Sequence, residues 1–165
     1  MFELYLIRHA IAEERGEAWP DDEVRPLSRA GAARMKKTAR GLARLDLRFD
    51  VVLTSPLVRA RQTAELVVNA FERRPPVVVV ASLSPEGTDA EVLADLEMHA
   101  RRSRIAVVGH EPNIGHLAAR LAGARHPFTF KKGAVCRIDV GTLPPSRPGT
   151  LCWFLTPAIL RAIGD

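Results

Sequence analysis

Residues 2–9 have the sequence FELYLIRH, an apolar run from Phe2 to Ile7 that ends directly in an arginine and a histidine. The run starts too close to the beginning of the chain for a helix to precede it. Its largely apolar character predicts a buried first strand. No requirement of packing places Arg8 and His9 directly after such a strand. Their position therefore indicates a functional site at the carboxyl end of the strand.

Strands and helices alternate along most of the remaining chain. Residues 11–26 are polar and predict a loop, and Ser28 is a good N-cap for a helix predicted over residues 29–45. Further strands are predicted at residues 49–54, 77–80, 105–108, 128–130, 135–140 and 151–155. Further helices are predicted after Pro56, over about residues 90–100, from Ile114 and from Pro157. The alternation predicts an α/β fold, a three-layer α/β/α sandwich with a mostly parallel central sheet. A chain of 165 residues is expected to form one domain over residues 1–165.

The composition is that of a soluble globular protein, with 47% apolar and 26% charged residues. The longest run of strong hydrophobes, Val77 to Val80, predicts a buried strand and is far too short to span a membrane. No basic segment precedes an apolar one, which argues against a signal peptide. Cys136 and Cys152 fit neither a disulfide framework nor a metal pattern, so we expect two reduced core thiols in a cytoplasmic protein.

The net charge of +5 and the pI near 9.9 indicate a preference for anionic partners. Much of the excess lies between Arg29 and Arg48, and a solvated helix face is the favoured interpretation. A docking surface for an acidic partner is the alternative. Aromatic residues make up only 5% of the chain, and no nucleic-acid module is present, so we expect no nucleic-acid partner.

Three polar segments follow predicted strands. They are Arg8-His9, residues 55–63 with the sequence SPLVRARQT, and residues 109–113 with the sequence GHEPN. In a parallel α/β sheet, ligands bind beyond the carboxyl ends of the strands. If these strands are neighbours, their ends bring two imidazoles and at least two guanidiniums into one pocket.

This combination of side chains suits phosphoryl transfer. A guanidinium can donate two parallel hydrogen bonds to two phosphate oxygens, and it stays charged at any working pH. The transferring group spreads its charge over three oxygens, so catalysis consists mostly of clamping and neutralisation. A neutral imidazole is a competent nucleophile when it is held in line with phosphorus.

The three segments together resemble the histidine phosphatase superfamily, which has the phosphoglycerate mutase-like fold. Residues 25–28, RPLS, with Gly31, and residues 153–157, WFLTP, are similar to the SixA-type phosphohistidine phosphatase branch. The resemblance covers nearly the whole chain. It implies that His9 is a nucleophile that forms a covalent phosphohistidine, that Arg8 and Arg59 hold the phosphoryl oxygens, and that His110 completes the pocket. It implies that Arg25 approaches the site, and it implies no metal or organic cofactor.

The chain departs from the family pattern at two points. Ala10 replaces the glycine of the usual Arg-His-Gly, and no general acid has a secure match. Glu86 lies in roughly the right loop, and Glu111 is a weaker candidate. Expelling an alkoxide from an ester benefits from a proton donor, whereas imidazole, with a pKa of roughly 6.5, leaves with less help. The sequence thus favours a phosphorylated protein carrying phosphohistidine as substrate. A phosphatase of small phosphate esters and a non-catalytic phosphate-binding module remain the alternatives.

Overall fold

The computed structural model describes all of residues 1–165 and contains one six-stranded sheet with the order β3-β2-β4-β1-β5-β6. The strands are β1 (Phe2–Arg8), β2 (Val51–Thr54), β3 (Val77–Val79), β4 (Arg104–Gly109), β5 (Val135–Val140) and β6 (Thr150–Leu155). Strands β1 to β4 are parallel, whereas β5 is antiparallel to β1 and β6 is antiparallel to β5. The predicted α/β fold with a mostly parallel sheet is confirmed.

Helices cover both faces of this sheet. They are α1 (Arg29–Ala43), α2 (Val58–Val68), α3 (Asp89–Met98), α4 (Asn113–Ala122) and α5 (Pro157–Gly164). Alternate residues of β1 point to opposite faces, so that Leu4 and Leu6 pack with α3 and α4, while Tyr5 and Ile7 pack with α1, α2 and α5. The result is three layers with a core on each side of the sheet.

Local signals in the sequence account for several helix boundaries. Ser28 caps α1 by accepting a hydrogen bond from the Gly31 N–H at 2.9 Å, and Pro157 begins α5. Within α1, a Cβ at Gly41 would lie 1.8 Å from the Leu160 carbonyl oxygen. Only glycine at this position lets α1 and α5 pack so closely.

Three local predictions are wrong. Residues 128–130 form no strand, because the Phe130 N–H bonds to the Glu111 side chain instead of a neighbouring strand. Strand β3 lies at the sheet edge, where Val79 is 52% exposed, so its apolar run is not buried. Cys136 is buried as expected, but Cys152 is exposed because β6 is the opposite edge strand.

Two further features complete the fold. The loop predicted over residues 11–26 contains a short 3-10 helix, Asp22–Val24, and a second 3-10 helix, Ala81–Leu83, precedes α3. None of the helices combines the length and the apolar character that crossing a membrane requires.

Candidate active site

The register of the sheet brings the three polar segments side by side. Arg8 at the end of β1 pairs with Gly109 at the end of β4, and Thr54 of β2 pairs with Val108 of β4. The next residue on each strand is therefore His9, His110 or Ser55. The His9 N–H extends the ladder by donating to the Gly109 carbonyl at 3.0 Å. The parallel arrangement thus gathers these side chains at the carboxyl ends of the strands.

His9 is held as a neutral imidazole. Its Nδ1 lies 2.7 Å from the Ala10 carbonyl oxygen. Because a carbonyl only accepts, this contact assigns the ring proton to Nδ1 and leaves the Nε2 lone pair free. The pKa of His9 is lowered to about 3, first by burial and then by the nearby His110, with Arg59 and Arg8 adding to the effect. The side chain is therefore an uncharged imidazole at neutral pH, with a lone pair on Nε2.

His110 faces His9, with ring centroids 5.0 Å apart. Its Nε2 lies 2.7 Å from Ser55 Oγ, which itself accepts a hydrogen bond from the Leu57 N–H. The Ser55 hydroxyl proton is thus available to Nε2, which favours the tautomer with the ring proton on Nδ1. The pKa of His110 is lowered to about 4, mainly by burial and next by the positive charge of Arg59.

Arg8 is fixed by the segment that follows α4. Its Nη1 donates to the Phe130 carbonyl at 2.6 Å, and the Phe130 N–H donates to Glu111 Oε1, also at 2.6 Å. The backbone of one residue, Phe130, therefore connects Glu111 with Arg8. Burial lowers the pKa of Arg8, and the negative charge of Glu111 partly offsets this effect. Glu111 thus positions an arginine, rather than only capping the first turn of α4.

Arg59 is 2% exposed and is bound by Asp22 through two contacts. Its Nη2 donates to Asp22 Oδ2 at 2.9 Å, and its Nη1 donates to the Asp22 carbonyl at 2.7 Å. Arg25 is also buried, and its Nε donates to Asp22 Oδ1 at 2.8 Å. Although burial acts to raise the pKa of Asp22, the hydrogen bonds and charges of Arg25 and Arg59 hold it below its usual value. Asp22 is therefore an ionised carboxylate between two site arginines.

The remaining residues of the 55–63 segment hold the site in place. Thr63 Oγ1 accepts a hydrogen bond from the Ala10 N–H at 3.0 Å and donates to the Arg59 carbonyl at 2.7 Å. Gln62 Oε1 accepts from the Leu27 N–H at 2.7 Å. One turn of α2 thus ties down the loop that carries His9 and the segment that follows Arg25.

Glu86 is exposed and makes no hydrogen bond or salt bridge. Its loop is joined to the start of α4 by Asn113, whose Nδ2 donates to the Pro85 and Gly87 carbonyls at 3.0 Å each. The loop therefore lies beside His110, but no contact links Glu86 to the two histidines.

Three buried nitrogen atoms of the site have no hydrogen-bond partner: Arg8 Nε, Arg59 Nε and His110 Nδ1. Buried polar groups are nearly always paired, so three orphans among four neighbouring side chains point to a ligand. Both arginine atoms are donors, and His110 Nδ1 is a donor in the favoured tautomer. An anion with several acceptor oxygens matches this set.

Comparison with known proteins identifies the family of this chain. The model of the histidine phosphatase superfamily (branch 1) matches residues 4–84, which carry Arg8, His9 and Arg59. An uncharacterized protein of Picosynechococcus sp. is 38% identical over 143 residues, which cover 84% of this chain and 86% of that protein. The chain belongs to the histidine phosphatase superfamily.

Within this superfamily, the chain is homologous to SixA. Phosphohistidine phosphatase SixA of Escherichia coli K12 is 29% identical over 161 residues, which cover 96% of both chains. The structure of the protein histidine phosphatase SixA complexed with tungstate superposes with a TM-score of 0.85 at 27% identity, over 96% of this chain and 99% of that one. Membership in the histidine phosphatase superfamily supports a phosphatase activity.

Sequence reasoning did not identify Asp22 or the positioning role of Glu111. Asp22 lies in a polar loop with five other acidic residues before Arg25, namely Glu13, Glu14, Glu17, Asp21 and Glu23, and no spacing singles it out. Its contacts arise only when the 3-10 helix places it over α2. The signal available for Glu111 was its place directly after His110, which does not show that Phe130 would lie opposite.

Proposed function

We propose that this histidine phosphatase hydrolyses phosphohistidine on a phosphorylated protein through a covalent phospho-His9 intermediate. The observation that carries the proposal is that His9 Nε2, which has no proton, lies in the same site as three nitrogens without hydrogen-bond partners. These nitrogens belong to Arg8, Arg59 and His110. The nucleophile and the groups that would neutralise a phosphoryl group thus occur in one buried site.

The reaction proceeds in two displacements. His9 Nε2 attacks phosphorus, the P–N bond to the substrate histidine breaks, and that histidine leaves with the electron pair. Arg8, Arg59 and His110 Nδ1 donate to the phosphoryl oxygens, whose charge is largest in the transition state. Water then attacks the phosphorus of phospho-His9, the Nε2–P bond breaks, and inorganic phosphate is released while the proton of water passes to solvent.

The state of the carboxyl groups favours a leaving group that needs little protonation. Asp22 is bound to two arginines, which hold its pKa low, so it has no proton to donate at neutral pH. Glu86 is exposed and makes no contact with the histidines. The second ring nitrogen of phosphohistidine takes up a proton from water near neutral pH, so imidazole can leave as a neutral group. An alkoxide has no such route.

The names of similar proteins also favour a phosphohistidine substrate. The relatives named SixA are described as phosphohistidine phosphatases.

The test compares turnover of a phosphohistidine-bearing phosphotransfer domain with turnover of an aryl phosphate, for wild type, His9→Ala and Glu86→Gln. We expect strong preference for phosphohistidine, no turnover by His9→Ala and nearly normal turnover by Glu86→Gln. Preference for the ester, together with loss of activity in Glu86→Gln, would identify a small-molecule phosphatase with Glu86 as its acid. Phosphate binding without any turnover would identify a binding module.

A further inference from the structure

A second basic region lies at the opposite end of the sheet. It is a groove of about 1100 Å³, termed here the basic groove, at the edge where β2, β3 and β4 begin. Asp50, Pro76 and Arg104 lie at these strand starts, whereas His9 and His110 follow strand ends. Strands of four to six residues separate the two edges, a distance of about 13 to 20 Å. The groove is therefore separate from the candidate active site.

The basic groove carries most of the chain's net charge. Seven arginines and three carboxylates line it, a surplus of four positive charges, while the whole chain has a net charge of +5. The charged lining residues are Arg40, Arg44, Arg48, Arg73, Arg74, Arg102, Arg104, Asp46, Asp50 and Glu72. The groove is thus a strongly positive surface outside the active site.

Four of these arginines have no partner in the fold. Arg104 pairs with Asp50 at 2.9 Å, and Arg44 and Arg102 donate to backbone carbonyls. No salt bridge or side-chain hydrogen bond involves the other four, which are exposed and come from three segments: Arg40, Arg48, Arg73 and Arg74. Each of their guanidiniums is free to bind a carboxylate through two parallel hydrogen bonds.

Apolar residues also line the groove. Phe71 is half-buried and its ring centroid lies 4.9 Å from that of the buried Phe49, and the half-buried Leu47 and the exposed Pro76 line the same groove. Apolar lining residues can accommodate aliphatic side chains between charged ones. Bases have no open aromatic face to stack on, because Phe49 is buried and Phe71 is only partly exposed. The volume also exceeds the roughly 300–1,000 Å³ of typical small-molecule sites.

We propose that the basic groove is a docking site for an acidic polypeptide segment that carries aliphatic side chains between its carboxylates. The groove matches such a segment in the sign of its charge and in the apolar residues of its lining. Docking where the strands begin leaves the site at the carboxyl ends of the strands, around His9, free for substrate. The proposal does not depend on whether that site is catalytic.

The test is the fluorescence anisotropy of a labelled twelve-residue peptide with the repeat Glu-Glu-Leu, titrated with the full-length protein. Probes for comparison are the Gln-Gln-Leu peptide and a twelve-nucleotide single-stranded DNA. The groove variant is Arg73→Glu/Arg74→Glu. The matched control is Arg29→Glu/Arg34→Glu, which makes the same charge change on exposed residues of α1 outside the groove. Thermal unfolding checks that all variants are folded.

We expect saturable binding of the Glu-Glu-Leu peptide that weakens with added salt, no binding of the Gln-Gln-Leu peptide, and unchanged binding by His9→Ala. The groove variant should lose at least about tenfold in affinity, and the control should stay within about twofold of wild type. Equal losses in both double variants would overturn the proposal in favour of net charge alone. Tighter binding of the DNA that depends on Arg73 and Arg74 would instead identify a nucleic-acid groove. Absence of saturable peptide binding would also overturn it.

Discussion

Asp22 binds Arg59 through both its side chain and its backbone carbonyl, and the same carboxylate binds Arg25. A phosphoryl group that uses Arg59 must therefore compete with a negative charge already in place. The pair keeps Arg59 ordered, and it also opposes the entry of an anion. We therefore expect Asp22 to lower the affinity of the site for phosphate.

Replacing Asp22 with asparagine should tighten the binding of inorganic phosphate. Asparagine keeps the shape of the side chain but removes the competing charge, so we expect the inhibition constant of phosphate to fall by about three- to tenfold. The control is Glu23→Gln, which removes an exposed charge in the same turn. A loss of turnover with unchanged phosphate inhibition would show instead that Asp22 acts as a proton donor.

Acid should destabilise the protein through its two buried histidines. Their pKa values in the folded state are about 3 for His9 and about 4 for His110. An unfolded histidine has a pKa of about 6.5, so the unfolded chain binds more protons below that pH. This contribution to stability is fully present above pH 6.5 and is lost as the pH falls toward 4 for His110 and toward 3 for His9. Each histidine contributes a slope of at most about 1.4 kcal/mol per pH unit.

The check on this pH dependence is urea unfolding between pH 7.5 and 4.5. The variant His9→Gln/His110→Gln should show a flatter dependence than wild type, whereas His126→Gln, at an exposed position, should match wild type. Equal slopes in wild type and the double variant would contradict the assignment of neutral histidines.

Removing the Glu111 carboxylate should disturb the position of Arg8 indirectly, through the Phe130 backbone. In Glu111→Ala the Phe130 N–H loses its acceptor, and the carbonyl that holds Arg8 becomes mobile. We expect kcat/KM to fall by about tenfold, mainly through KM, because in the proposed mechanism Arg8 binds the phosphoryl group in the ground state as well. Glu111→Gln keeps an acceptor oxygen and should restore most of the loss. Glu97→Ala, an exposed position on α3, provides the control.

Thr63→Val should weaken both stability and turnover. The substitution preserves side-chain shape but leaves the buried Ala10 N–H without an acceptor, at a cost of about 1–3 kcal/mol. Because Ala10 also provides the carbonyl that fixes the tautomer of His9, kcat should fall as well. Thr63→Ser retains the hydroxyl and should behave like wild type in both denaturant unfolding and kinetics. A stable Thr63→Val variant would show that the contact contributes little.

The sequence predicted the sheet well because apolar runs and helix caps are local signals. It also predicted that His9, His110 and Arg59 would meet, since the ends of neighbouring parallel strands converge. It failed where tertiary context decides the outcome. The apolar composition of Val77 to Val80 does not reveal that β3 is an edge strand. Phe130 is buried in the core against Phe154, but its segment forms no strand because its backbone bonds to Arg8 and Glu111. Asp22 acquires its role only through the path of a loop.

Asp22, which binds Arg59, belongs to the connection between β1 and α1 and not to the sheet. That connection contributes few side chains to either core. Its sequence can therefore diverge without repacking the layers beneath it. A lineage could retune product inhibition, or admit a different phosphorylated partner, by exchanging a few loop residues while the strands that present the two histidines stay unchanged. The fold thus holds the two histidines at strand ends and places the carboxylate that pairs with Arg59 on a separate loop.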